Sequence, residues 1–147
     1  MTTIVYSKGI LAADTQLTQG DCIVSHSTKK LFKVKSFSHI YYIGIAGDPS
    51  DYLAITEWAK ADFDPEFTPK TEGSTAIIVD AEGNTYGFQG GNLFPTGKGD
   101  QAVGSGYIVA LGALAMGASA VEAVKAAGKI DVYTNTKVKK LIVLKDK

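Results

Sequence analysis

Short apolar runs, separated by turns that contain glycine or serine, fill the first third of the chain. Ile4–Tyr6 and Ile10–Ala13 flank Ser7-Lys8-Gly9, which reads as a tight turn between two strands. Leu31-Phe32-Lys33-Val34 and Ile40-Tyr41-Tyr42-Ile43 are two further strand candidates, separated by the polar stretch 36–39. The pattern switches at Gly47-Asp48-Pro49. Asp48 suits a helix cap, Pro49 the first helical position, and Asp51 adds negative charge to the first turn. The helix is predicted to run to about Lys60, with Tyr52, Ile55 and Ala59 on one face.

Residues 61–73 carry Pro65, Pro69 and Gly73 among charged residues and read as a loop. Thr75–Val79 and Asn84–Phe88 flank Asp80-Ala81-Glu82-Gly83, a hairpin signature, and residues 90–99 read again as loop. Gly106–Met116 is apolar all round, which predicts a helix buried between layers and ended by Gly117. Ser119 and Glu122 form a capping box that opens another helix, finishing near Gly128. Val138–Leu144 is the closing strand. Strands, helix, strands, two helices, strand is an α+β order. Two antiparallel sheets covered by helices on the outside satisfy it, in a single domain over residues 1–147.

Composition narrows the partners. The 147 residues carry 15 acidic and 15 basic side chains, a balance that argues against a nucleic-acid or anionic-membrane partner. Cys22 is alone, and no Cys/His grouping has metal-ligand spacing, so neither a disulfide, a metal nor a cofactor is expected. His26 and His39 lie thirteen apart without a carboxylate-rich neighbourhood and read as surface or strand-face residues. The N-terminus lacks a basic segment followed by an apolar one. The one membrane-like stretch, Tyr107–Val121, is too short and is broken by Gly112, Gly117 and Ser119. The expectation is a cytoplasmic protein.

Thr2 follows the initiator methionine, and a methionine before a small residue is normally trimmed. Thr2 would then carry a hydroxyl nucleophile and a free α-amino base on one residue. An α-amino group has a reference pKa of about 7.7–8.0, so a useful fraction is neutral near pH 7. A lysine held by an aspartate would strengthen such a site. Asp14 ends the second strand run and Lys29-Lys30 precedes the next. Gly47, between a strand and a helix, is placed to aim an N–H at a developing oxyanion. Each residue also has an ordinary structural account when taken singly. Gly97-Lys98-Gly99 lacks the Lys-Ser or Lys-Thr of a phosphate loop and is set aside.

The joint order is more specific than any one block. Thr2-Thr3-Ile4-Val5, Ala12-Ala13-Asp14-Thr15, Thr28-Lys29-Lys30-Leu31, Gly44-Ile45-Ala46-Gly47, Val103-Gly104-Ser105-Gly106 and Asp131-Val132-Tyr133-Thr134-Asn135 follow one another along nearly the whole chain. In these blocks the sequence resembles the proteasome β-subunits and, more closely, the HslV-like threonine peptidases. The resemblance implies a four-layer αββα sandwich, the N-terminal nucleophile hydrolase fold. It also implies roles: Thr2 the nucleophile after loss of Met1, Lys30 the lysine that lowers its pKa, Asp14 the carboxylate that orients it, and Gly47 the oxyanion donor. Ser105, Asp131 and Thr134 match the hydrogen-bonding group around the terminal amine. By position, Thr28, Ile45 and Pro49 would line the substrate pocket and give it an apolar preference.

The implied activity is hydrolysis of unfolded polypeptide inside a homo-oligomeric double ring, with an ATP-dependent unfoldase as an implied partner. Two departures stand out. The stretch between Lys60 and Gly73 is short where family members place the end of a long helix and a second helix, and maturation is expected to need only removal of Met1, without a propeptide. Two rival readings are an amidase on the same fold and a non-catalytic ring subunit that keeps Met1.

Overall fold

The computed structural model describes residues 2–143. Two antiparallel sheets stack face to face. The first has the order β10-β1-β2-β11, built from β1 (Thr3–Ser7), β2 (Ile10–Asp14), β10 (Gln101–Gly104) and β11 (Val138–Ile142). The second runs β5 (Leu31–Lys35), β6 (Ile40–Ala46), β7 (Thr75–Asp80), β8 (Thr85–Gln89), β9 (Asn92–Gly97) in sequence order. A small hairpin, β3 (Leu17–Gln19) with β4 (Cys22–Ser25), stands apart from both.

Strand alternation sorts side chains into layers. From the first sheet, Ile4, Tyr6, Leu11 and Ala13 meet Leu31, Tyr42, Ile77 and Val79 of the second to form the central core. The opposite face of the first sheet, Val5 and Ala12, packs under α2 (Tyr107–Ala115) and α3 (Ala120–Gly128) through Ala110, Ala123 and Val124. The outer face of the second sheet, including Ile43, Ile45 and Ile78, lies under α1 (Tyr52–Lys60) through Ile55, Trp58 and Ala59. Helix, sheet, sheet, helix is the four-layer αββα sandwich expected from the sequence.

The caps behave as the sequence implies. Asp48 accepts from Ser50 N–H ahead of a 3₁₀ turn at Pro49–Asp51 that leads into α1. Ser119 and Glu122 exchange both bonds of the capping box at the start of α3. The segment after α1 holds a 3₁₀ turn, Pro65–Phe67. Aromatic packing ties it to the sheet: Phe63 meets Trp58 and Tyr41 edge-on at 5.0 and 4.8 Å between ring centroids. The Trp58 indole N–H donates to Asp64 O at 2.7 Å, locking the turn onto the helix.

Two expectations are corrected, and one hairpin is added. Residues 90–99 are not loop throughout, because Asn92–Gly97 forms edge strand β9. The 17–25 region forms a hairpin that the sequence reading did not single out. The α2 helix is not buried between layers. Only Ala110 is fully covered, while Ile108 is 68% and Met116 89% exposed. It lies in an outermost layer, where one face suffices to cover the sheet and α3, so its remaining apolar residues face solvent. The closing strand ends at Ile142, and Leu144 lies outside the described residues.

Candidate active site

Thr2 leads into β1, an interior strand of the first sheet, so its backbone is held from both sides. Thr3 pairs with Gly104 of β10, and Ile4 with Ala13 of β2. Gly104 has φ 101, and a Cβ there would run into the Thr2 carbonyl, so only glycine lets the two strands approach this closely. Thr2 itself is buried, and so are the Asp14 and Lys30 side chains that face it.

Lys30 is the centre of the charge arrangement. Its Nζ donates to Thr2 Oγ1, and on the other side to Asp14 Oδ1 at 2.9 Å. Burial pulls the Lys30 ammonium below its ordinary pKa, while the neighbouring Asp14 and Asp131 charges work the other way. Asp14 is positioned in turn by three backbone donors: Thr3 N–H on Oδ1 at 3.1 Å, and Gln16 N–H and Asn135 N–H on Oδ2 at 3.1 and 3.3 Å. A carboxylate so fully occupied cannot rotate away from the lysine.

A second network gathers at the Thr2 nitrogen. That nitrogen donates to Ser105 Oγ at 3.1 Å, and Ser105 Oγ donates to Asp131 Oδ2 at 2.5 Å. Thr134 Oγ1 donates to the same oxygen at 2.6 Å, and Tyr133 N–H to Asp131 Oδ1 at 3.2 Å. Burial raises the Asp131 carboxyl, but the bonds from Ser105, Thr134 and Tyr133 outweigh it and hold the group below its usual range. The hydroxyl of Thr3 completes the network, 2.8 Å from Thr134 Oγ1. That contact was not foreseen; the strand period puts Thr3 on the opposite face from Thr2, and only the position of the 131–135 loop makes it a partner.

Gly47 follows the end of β6. Ile45 N–H donates to Lys30 O at 3.0 Å, and N–H groups two residues apart on a strand face the same edge. Gly47 itself lies just beyond the strand and shares a cleft with Thr2. Its φ is 144, and a Cβ would strike Ser74, whose hydroxyl accepts from Asp48 N–H and donates to Asp51. Glycine is thus required here by both conformation and space.

Thr2 and Gly47 open onto one cleft of about 560 Å³ that Pro49 and Tyr52 also line. Burial pushes the Tyr52 hydroxyl up to about 12, with Asp14 and Asp48 adding to the rise, so it remains a neutral phenol facing the cleft. Of the three pocket residues expected from the sequence, only Pro49 is on this cleft. Ile45 is fully buried in the core beneath α1. Thr28 lines a separate cavity, because its N–H bonds back to Thr15 O and turns the chain away before β5 begins. No group of three or more potential metal ligands occurs among the described residues, and no helix among them is long and apolar enough to cross a membrane.

No family model matches the chain, and no curated protein sequence does. Among solved structures, it is similar to eukaryotic HslV from Trypanosoma brucei, with a TM-score of 0.70 and 24% identity over 99% of each chain. Thr2, Asp14, Lys30, Gly47, Ser105, Asp131 and Thr134 come together at one end of a sandwich whose fold, the N-terminal nucleophile hydrolase fold, is that of HslV.

Proposed function

We propose that the protein is a proteasome-like threonine peptidase whose nucleophile is Thr2, exposed by removal of Met1. The observation that carries the reading is the hydrogen-bonded series Asp14–Lys30–Thr2 Oγ1 meeting a second series, Thr2 N–Ser105–Asp131, on the same residue. Freed from its peptide bond, the Thr2 nitrogen becomes an amine whose reference pKa of about 7.7–8.0 leaves part of it neutral at pH 7. It takes the proton from Oγ1 as that oxygen attacks the substrate carbonyl, while the Lys30 ammonium stabilises the forming alkoxide. The Gly47 N–H is the donor for negative charge developing on the substrate oxygen. The amine returns its proton to the leaving nitrogen, and an ester remains on Thr2. Water deprotonated by the same amine then hydrolyses the ester, regenerating hydroxyl and carboxylic acid products.

We extend the proposal, on the family resemblance of the sequence blocks, to unfolded polypeptide as the substrate, a double ring of identical subunits as the working form and an ATP-dependent unfoldase as its feeder. The test is intact mass spectrometry with a threonine-directed epoxyketone. Loss of one methionine and a single adduct, both adduct and peptidase activity vanishing in Thr2→Ala, is the expected outcome. Retained Met1 with no adduct would overturn the peptidase and leave a non-catalytic assembly subunit.

A further inference from the structure

The walls of the Thr2 cleft carry charge of one sign only. Asp48 and Glu72 line it, and among the described residues no basic side chain does. Neither carboxylate is in a salt bridge among those residues. Asp48 spends Oδ1 on the Ser50 N–H at 2.9 Å, and that bond holds its carboxyl below the usual range, so the group stays ionised. Its charge is felt inside the cleft, where it adds to the rise of the Tyr52 phenol. Lys30 does not offset the two acids, because its ammonium is buried and bonded to Asp14.

The rest of the wall is largely apolar and open. Leu17 and Val24 come from the β3–β4 hairpin, which belongs to neither sheet. Val24 is 52% exposed. Pro49 precedes α1 and Tyr52 opens it, with the Phe32 ring meeting Tyr52 edge-on at 5.5 Å. An apolar substrate side chain lying here would cover two carboxylates without giving them a partner. A long basic side chain meets both demands. Its methylenes lie along Leu17, Val24 and Pro49 while its cationic tip reaches the acids, and the Tyr52 ring also favours a cation.

We infer that the cleft selects polypeptides with lysine or arginine beside the scissile bond, with Asp48 and Glu72 as the residues that set this preference. The inference rests on the peptidase reading and names the substrate class of that same site. It replaces the apolar preference expected from Thr28, Ile45 and Pro49, of which only Pro49 reaches the cleft.

The test is kcat/KM on short quenched peptides, with cleavage sites mapped by mass spectrometry. The peptides are identical but for one residue flanking the central bond, which is lysine, norleucine or glutamate. Norleucine keeps the apolar stem of lysine and lacks the ammonium, so the ratio isolates the charge. Lysine is expected to be preferred over norleucine about fivefold or more, with glutamate the poorest. Added salt should narrow the ratio. Asp48→Asn/Glu72→Gln should bring it near unity, while Glu82→Gln on the β7–β8 turn leaves it as in wild type. An epoxyketone adduct on Thr2, measured in parallel, separates the two readings. With the adduct present, equal or better cleavage beside norleucine, or a lysine preference that survives the double substitution, overturns the charge inference and leaves the peptidase standing. No adduct and no cleavage of any peptide overturns the peptidase reading, and this inference falls with it.

Discussion

Burying an ammonium strips its hydration, and Lys30 endures this because Nζ donates to Asp14 and to the Thr2 hydroxyl. Removing the carboxylate would leave that charge uncompensated, the costly way to break a buried pair. Asp131 follows the opposite logic, since hydrogen bonds favour its ionised form. Its folded pKa lies below the unfolded value near 3.8, so its stabilising contribution is complete above that value. The contribution is lost as pH falls through the lowered folded value. Denaturant titrations of wild type and Asp131→Asn should therefore differ at pH 6 and converge toward pH 2; a gap independent of pH would refute this account. At this scale the sequence anticipated a grouping that the fold brings together, Thr2 with Asp14, Lys30 and Ser105. It misled where direction matters. Linear spacing cannot tell that Ile45 turns under α1 or that Thr28 is drawn off toward Thr15.

Helix α1 shows how a single side chain can tie an element to its surroundings. Trp58 joins it to Phe63, to Phe88 and to the Asp64 carbonyl, so one side chain binds helix, turn and sheet. Trp58→Ala should destabilise the fold by about 3–5 kcal/mol, the range for emptying a large aromatic site, read as a lowered midpoint in chemical denaturation. Helix ends and long apolar strands were legible because caps and β-rich runs are local signals. Strands β3, β9 and β10 were not. Leu17-Thr18-Gln19 and Gln101-Ala102-Val103-Gly104 are too short and polar to announce themselves, and β9 contains Pro95. It is tolerated because β9 is the last strand of its sheet. The exposure of α2 was equally hidden, since an apolar composition does not say which partner covers it.

Across the whole molecule, that exposed helix is the natural place to test the ring. Ile108 of α2 and Met116 at its C-cap lie at 68% and 89% exposure. If α2 forms part of a subunit contact, Ile108→Asp should shift the sedimentation coefficient toward that of a single 147-residue chain, without altering the circular dichroism spectrum. The order of the first sheet carries a different implication. Thr2 stands at the head of a strand flanked by β10 and β2, so placing the nucleophile requires a segment about a hundred residues downstream to return and pair with it. Such long-range pairings come late, because the closure entropy must be met before the contact rewards it. A chain emerging from the ribosome thus carries its nucleophile from the first moment, yet cannot use it until almost everything else has been made. The peptidase proposed here would be harmless while incomplete, disarmed by topology rather than by an inhibitor.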